Sequence, residues 1–147
     1  MSTPNEIDTP EARRVLESFV RQGLMTHWGA QLVSATKGRV EFALPKTDKV
    51  TQQQGSIHGG AMGALADIAC GYAALTVAPE GMEVTTVEYK VNMMAAPVGE
   101  ALHVVGEVKR AGRTLAVCQA EMFDVKNGER KFCGLMQATM MYIAKKY

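Results

Sequence analysis

Hydrophobic positions change their spacing several times along the chain, and each change marks the edge of a predicted element. After a polar start, Met1 to Asp8, which reads as a flexible tail, Thr9 and Pro10 supply a helix cap and a favoured first helical residue. Val15, Leu16, Phe19 and Val20 then fall on one helical stripe, and Gly23 ends it. From Gln31 to Leu44 the period shortens to two. Val40, Phe42 and Leu44 lie on one side, Arg39, Glu41 and Ala43 on the other, and Lys37-Gly38 breaks the run, which predicts a hairpin.

Gly59 to Ala78 is different in kind. It holds seven Ala and four Gly, is apolar on every side, and is bounded by His58 and Pro79. A helix apolar all round is buried. At 1.5 Å per residue its length of about 30 Å would also span a bilayer. Against that, Gly and Ala contribute little transfer energy, Asp67 sits in the middle and no basic collars flank it, so a central helix wrapped by a sheet explains the pattern better.

Four extended stretches follow: Glu83 to Met94, Glu100 to Arg110, Arg113 to Val125 and Arg130 to Ile143. Leu102, Val104, Gly106 and Val108 alternate with His103, Val105, Glu107 and Lys109, and Leu115 and Val117 with Ala116, Cys118 and Ala120. Ala111-Gly112 and Asn127-Gly128 are hairpin-sized connections, the second made of residues that accept positive φ, so these strands are antiparallel neighbours. Helix, two strands, long buried helix, four strands: the order predicts an α+β domain.

Composition narrows this picture. The chain has 147 residues, 47% hydrophobic and 6% aromatic, a length that suits one domain with a real core. Its 16 basic and 15 acidic residues leave a net charge of +1, which gives no electrostatic footprint for nucleic acid or an anionic membrane. Cys70, Cys118 and Cys133 are an odd count, far apart and without a C-x-x-C pair, which argues against disulfides or thiolate zinc and fits a reducing cytoplasm. The excesses are 10 Met and 14 Gly.

Two features can carry chemistry. Asp67 is the only charged residue between His58 and Glu80, in a helix of small and apolar neighbours. Burying an unpaired carboxylate costs several kcal/mol, so it needs either a bonding partner in the fold or a catalytic use. His58-Gly59-Gly60 opens the same helix after the polar run Thr51 to Ser56. A helix N-terminus offers unpaired N–H groups, and glycine lets a ligand atom come close to the backbone, which suits an oxyanion. A lone His before a helix is more often a structural cap, but combined with a buried Asp nine residues on the motif becomes specific. Gly59 and Asp67 are eight residues apart, roughly 12 Å along a helix, so they cannot both reach one carbonyl carbon. Two such helices packed antiparallel across a two-fold axis, with Gly63 and Gly71 allowing close contact, would bring Asp67 of one subunit to Gly59 of its partner.

The stretch Gln52 to Leu75, with Gly55-Ser56-Ile57-His58-Gly59-Gly60-Ala61-Met62-Gly63-Ala64-Leu65-Ala66-Asp67 at its centre, resembles the hotdog-fold thioesterases of the PaaI type, associated with phenylacetate degradation. The order of elements resembles that family over essentially the whole chain. The resemblance implies a hotdog fold over residues 9–147, an antiparallel sheet wrapped around the long helix, and a homodimer that commonly pairs again into a tetramer. It implies hydrolysis of an acyl-CoA with a medium-chain or aryl acyl group, and no cofactor, coenzyme A being part of the substrate. Residue by residue, it makes Asp67 a general base or nucleophile, the Gly59 N–H the oxyanion donor and His58 a shaper of the loop. It also makes Gln52 a polar contact, with Gln53 or Gln54 taking over after a slip of register, and gives water positioning to Thr86, or to Thr85 in another register. Gly60, Met62 and the Met93-Met94 pair are pocket candidates, most other methionines being core. Lys109, Arg110 and Arg113 at a hairpin tip suit either the phosphates of coenzyme A or a solvated turn.

Other chemistries find less support. His27, His58 and His103 lack metal-ligand spacing. The glycines form neither G-x-G-x-x-G nor a Walker pattern, no Ser sits in a G-x-S-x-G elbow, and Cys70 reads as a small buried hydrophobe. Two readings stand beside hydrolysis: a non-catalytic acyl-CoA-binding hotdog protein, and a hotdog dehydratase or hydratase, whose pattern this loop matches less well.

Overall fold

The computed structural model describes residues 7–147, so residues 1–6 of the expected tail lie outside the described residues. Helix α1, Pro10–Phe19, begins where its cap predicts: the Thr9 hydroxyl accepts from the Ala12 N–H at 2.9 Å. Thr9 also donates to the Ala35 carbonyl at 2.8 Å, tying the helix to the sheet. The buried stripe is Ala12, Val15 and Phe19. Val20, expected on it, is exposed, because the helix closes at Phe19 and the chain turns through Arg21 and Gln22. Gly23 does not simply stop a helix; it opens a second one, α2, Gly23–Trp28. An element this short, with Met25 its one buried side chain, carries no readable period.

Strands β1, Gln31–Thr36, and β2, Arg39–Pro45, form the expected hairpin. The long helix α3 spans Gly59–Val77. Strands β3, Met82–Met93, β4, Ala101–Ala111, β5, Leu115–Lys126, and β6, Glu129–Ala144, complete one six-stranded antiparallel sheet in the order β1-β2-β4-β5-β6-β3. The β4–β5 and β5–β6 hairpins are as the turns predict, Asn127 and Gly128 having φ of 52° and 78°. β3 behaves otherwise. It crosses to the far edge and pairs with β6, its other edge having no partner strand among the described residues.

Helix α3 packs against β2, β3, β4, β5 and β6, which makes the α+β hotdog arrangement of a sheet around a central helix. By length and composition it could cross a membrane, but most of it is covered by the sheet, so it is a core helix. Its small residues meet small residues: Ala116, Cys118, Ala120 and Ala138 line the inner face of the sheet and are fully buried. At Gly106 on β4 the helix comes so near that a Cβ would overlap the Ala69 carbonyl. Helix and sheet therefore touch almost backbone to backbone, which accounts for the Gly and Ala content and the scarcity of aromatics. Met25, Met122, Met136 and Met140 are fully buried filler around this contact. Phe19, Phe42 and Tyr72 meet at one end with centroids 4.9 to 6.0 Å apart, and Phe123 on β5 meets Phe132 on β6 edge to face at 5.9 Å.

Candidate active site

The segment entering α3 is a tight loop. A bridge pairs Thr51 with Ile57, the Gln52 N–H donates to Ser56 O at 2.9 Å, and the His58 N–H donates to Val50 O at 2.8 Å. The Ile57 N–H donates to Pro97 O at 3.0 Å, which joins this loop to the β3–β4 connection. That connection is itself held by Asp124, whose carboxylate accepts from the N–H groups of Val98 and Gly99 at 3.1 and 2.8 Å.

His58 caps α3: its Nδ1 accepts from the Gly60 N–H at 2.7 Å. In the neutral ring the proton is then on Nε2. The capping bond satisfies Gly60 and leaves the Gly59 N–H with no acceptor among the described residues. A Cβ at Gly59 would lie 3.7 Å from Met93 Cε, and Gly59 lines a cavity of about 310 Å³ together with Gln52, Met62, Met93 and Met94 among others. Gln53 and Gln54 are exposed on the turn, and the Gln54 N–H donates to the Gln52 side chain. Gly60 lies on the other side of the helix end, in a groove with Trp28 and Lys49.

Asp67 sits two turns further along α3. Its Oδ1 accepts from the Thr86 hydroxyl at 2.7 Å, and Oδ2 has no partner among the described residues. Of the two threonines on β3, Thr86 is the one that reaches it, next to an irregularity in the β3–β6 ladder between Thr86 and Glu88 that re-aims the strand. Burial pushes the Asp67 carboxyl above its ordinary pKa, and the Thr86 hydrogen bond offsets only part of that. The three thiols are inert by the same cause, Cys118 being pushed up to about 12 and Cys70 further.

Asp67 and Thr86 line a second cavity, about 460 Å³, and Gly59 and Gln52 do not. One chain thus keeps its carboxylate and its free helix N–H in separate openings. Gly63 lies under Tyr89 and Gly71 under Val84. Ala64, Asp67, Ile68 and Gly71, at helical spacing, form the half-exposed stripe of α3 on its side toward β3. Arg110 and Arg113 are exposed at the β4–β5 tip and line neither cavity. Sequence reasoning missed the far wall of the Asp67 cavity, built by Ser18, Arg21, Gln22, Tyr72 and Tyr147. These residues carry no motif and meet only through the tertiary fold.

The fold and the sequence are shared with known proteins. A Silicibacter pomeroyi structure described as a thioesterase family protein is 38% identical with a TM-score of 0.88, covering 92% of this chain and 99% of that one. The PaaI protein of the Escherichia coli phenylacetic acid degradation operon shares the fold, with a TM-score of 0.81 at 17% identity over 91% of this chain and 94% of that one. A candidate esterase of Saccharolobus solfataricus is 32% identical over 94 residues, which span 64% of this chain and 66% of that protein, just under two thirds of its length. The family profile matches residues 54–131, the stretch from the loop before α3 to the start of β6. With that match over more than half of the chain, and the hotdog sheet around its helix, the chain belongs to the thioesterase superfamily.

Proposed function

We propose that this protein hydrolyses an acyl-CoA thioester, with a medium-chain or aryl acyl group, at a site shared by two subunits in the manner of the PaaI type. The observation that carries the reading is a single helix bearing an unpaired N–H at Gly59 and a half-buried carboxylate at Asp67, opening into different cavities. Two copies joined along the free edge of β3, with their α3 stripes face to face, bring Asp67 of one subunit to Gly59 of the other. Exposed Val87 and Tyr89 on that edge support such a junction. The dimer then pairs again into a tetramer.

The thioester carbonyl oxygen accepts from the Gly59 N–H, whose helix-terminal position favours the charge that builds there. Thr86 holds Oδ1 of Asp67, which leaves Oδ2 to act. As a base, Oδ2 takes a proton from water as the water oxygen attacks the carbonyl carbon. The C–S bond then breaks, and the thiolate leaves and is protonated, giving free acid and coenzyme A. As a nucleophile, Oδ2 itself attacks, the thiolate leaves, and water cleaves the resulting anhydride. Gln52 orients the water or the carbonyl, and His58 holds the loop. Met62, Met93 and Met94 give an apolar slot beside Gly59, Gly60 lets the substrate approach the helix end, and Arg110 and Arg113 are available to the coenzyme A phosphates. No cofactor enters the scheme, and the free thiols fit a cytoplasmic setting.

Asp67→Asn tests this reading. It keeps the shape and the Thr86 bond but removes the base, so turnover of acyl-CoA substrates should fall at least about a hundredfold, with oligomeric state and circular dichroism unchanged. Full activity in that variant overturns the assignment. Single turnover in labelled water separates the two roles of Asp67, label in its carboxylate marking the nucleophile and label confined to the product acid marking the base.

A further inference from the structure

Two acidic side chains are buried among the described residues, Glu41 and Asp124. Glu41 is paired with Arg130. Asp124 has no cation within salt-bridge distance among the described residues; its two oxygens accept only from the Val98 and Gly99 N–H groups, at 3.1 and 2.8 Å. A neutral acceptor would satisfy an N–H group without the cost of burying a charge, so this carboxylate calls for a use beyond closing a turn.

The use lies in a single peptide unit. Val98 donates its N–H to Asp124 Oδ2, and the carbonyl on the other side of the same peptide bond, Pro97 O, accepts from the Ile57 N–H at 3.0 Å. A peptide unit is planar, so fixing its N–H fixes the direction of its carbonyl. A charge-assisted bond at one end also polarises the unit and strengthens the bond at the other. Ile57 stands directly before His58 and two residues before Gly59, so this carbonyl sets where α3 begins. Its own seat is rigid: Pro97 is fully buried, a Cβ on Gly99 would overlap the Val125 carbonyl, and the Glu100 N–H donates to Val125 O at 2.8 Å. Residues from Met94 to Pro97 line the Gly59 cavity together with Gln52, Ile57 and Gly59. Between these two segments the Ile57–Pro97 bond is the one backbone hydrogen bond among the described residues.

We propose that Asp124 is a positioning residue for the oxyanion half of the site: through the Pro97–Val98 peptide it holds Ile57, and with it the Gly59 N–H, at the angle the thioester oxygen needs. It touches no substrate atom. The oxyanion bond tightens only as charge builds in the transition state, so a loop out of place costs turnover more than binding. Asp124 acts on Gly59 of its own chain and leaves the Asp67 of that chain fit to serve the partner subunit.

This role rests on the hydrolase reading, and one set of measurements separates the two. Hydrolysis of hexanoyl-CoA and benzoyl-CoA is followed in Asp124→Asn, which keeps the shape but turns one acceptor into a donor, and in Asp124→Ala, which removes both acceptors. The kcat should fall about tenfold in the first and about a hundredfold in the second, with KM within about twofold of wild type. Thr9→Ala, which removes the α1 cap, should lose thermal stability and keep its kcat. Co-expressed with Asp67→Asn, Asp124→Ala should regain about a quarter of wild-type activity, because each mixed dimer holds one intact site. Co-expressed with Gly59→Pro it should regain nothing, both defects lying in the same half. In deuterium exchange the segment holding Ile57 and His58 should exchange about tenfold faster in Asp124→Asn while β4 stays protected. Unchanged kcat in both Asp124 variants, or equal recovery with the two co-expressed partners, overturns the role. So does a lack of recovery with Asp67→Asn where Gly59→Pro recovers with it. If no pairing recovers, the site is not shared, and kcat and exchange decide. If the wild type hydrolyses neither thioester, the hydrolase reading falls, and the hold of Asp124 on the loop stands with faster exchange at Ile57 and falls without it.

Discussion

Burial and a single hydroxyl set opposing pulls on Asp67, and burial wins. Its carboxyl is raised in the folded chain, so the native state holds that proton more tightly than the unfolded state does. The resulting penalty is absent below the ordinary value of 3.8, grows as pH rises through it, and is complete above the raised native value. Asn carries no such penalty and can still accept from Thr86. Asp67→Asn should therefore melt at a higher temperature than the wild type at pH 7, and the gap should close as pH falls toward 3.8 in calorimetric scans. A variant that gains activity's loss and stability together behaves as a functional residue held against its folding preference. Asp67 and Gly59 were legible in the sequence because a charge in an all-apolar helix and a glycine at its start are locally anomalous. Ser18, Gln22 and Tyr147 are ordinary surface-type residues in sequence, and only the packing of α1 on α3 makes them the wall of a cavity.

Among the elements, α3 against β4 is the contact on which the rest is hung. Gly106→Ala puts a methyl against the Ala69 carbonyl, a backbone atom that cannot swing aside. Thermal and urea unfolding should show a loss of about 3 kcal/mol, the upper part of the usual range for overpacking. Ala at exposed Gly23, whose Cβ meets nothing, is the matched control. Periodicity and turn chemistry revealed most elements, because each strand faces helix on one side and solvent on the other. The inward face of β5 ran against simple hydrophobicity: Ala116, Cys118 and Ala120 are buried while the larger Leu115 is 42% exposed. Proximity of the helix, not apolar size, chose that side. The partner of β3 was not legible either, since nothing local distinguishes pairing with β4 from crossing to β6.

At the scale of the molecule, the division between two cavities is open to test by mixing defects. Gly59→Pro removes the N–H at the first helical position, where proline is favoured, and sets its ring beside Met93; the extended His58 backbone, φ −60° and ψ 137°, already suits a following proline. Gly59→Pro and Asp67→Asn should each be inactive alone. Co-expressed, they should regain about a quarter of wild-type activity, because random pairing makes half the dimers mixed and each mixed dimer holds one intact site. No recovery would mean that each chain works by itself. The near backbone-to-backbone seat of α3 on its sheet also sets where such a molecule can change its substrate. The floor of the fold has no side-chain volume to trade: enlarging Gly106, Ala116 or Ala120 pushes the helix, and with it both halves of the site. Mutational tolerance is concentrated instead at the rim, in α1, α2 and the end of β6. Selection for a new acyl group should accumulate its changes at positions such as Ser18 and Gln22 while the interior stays fixed.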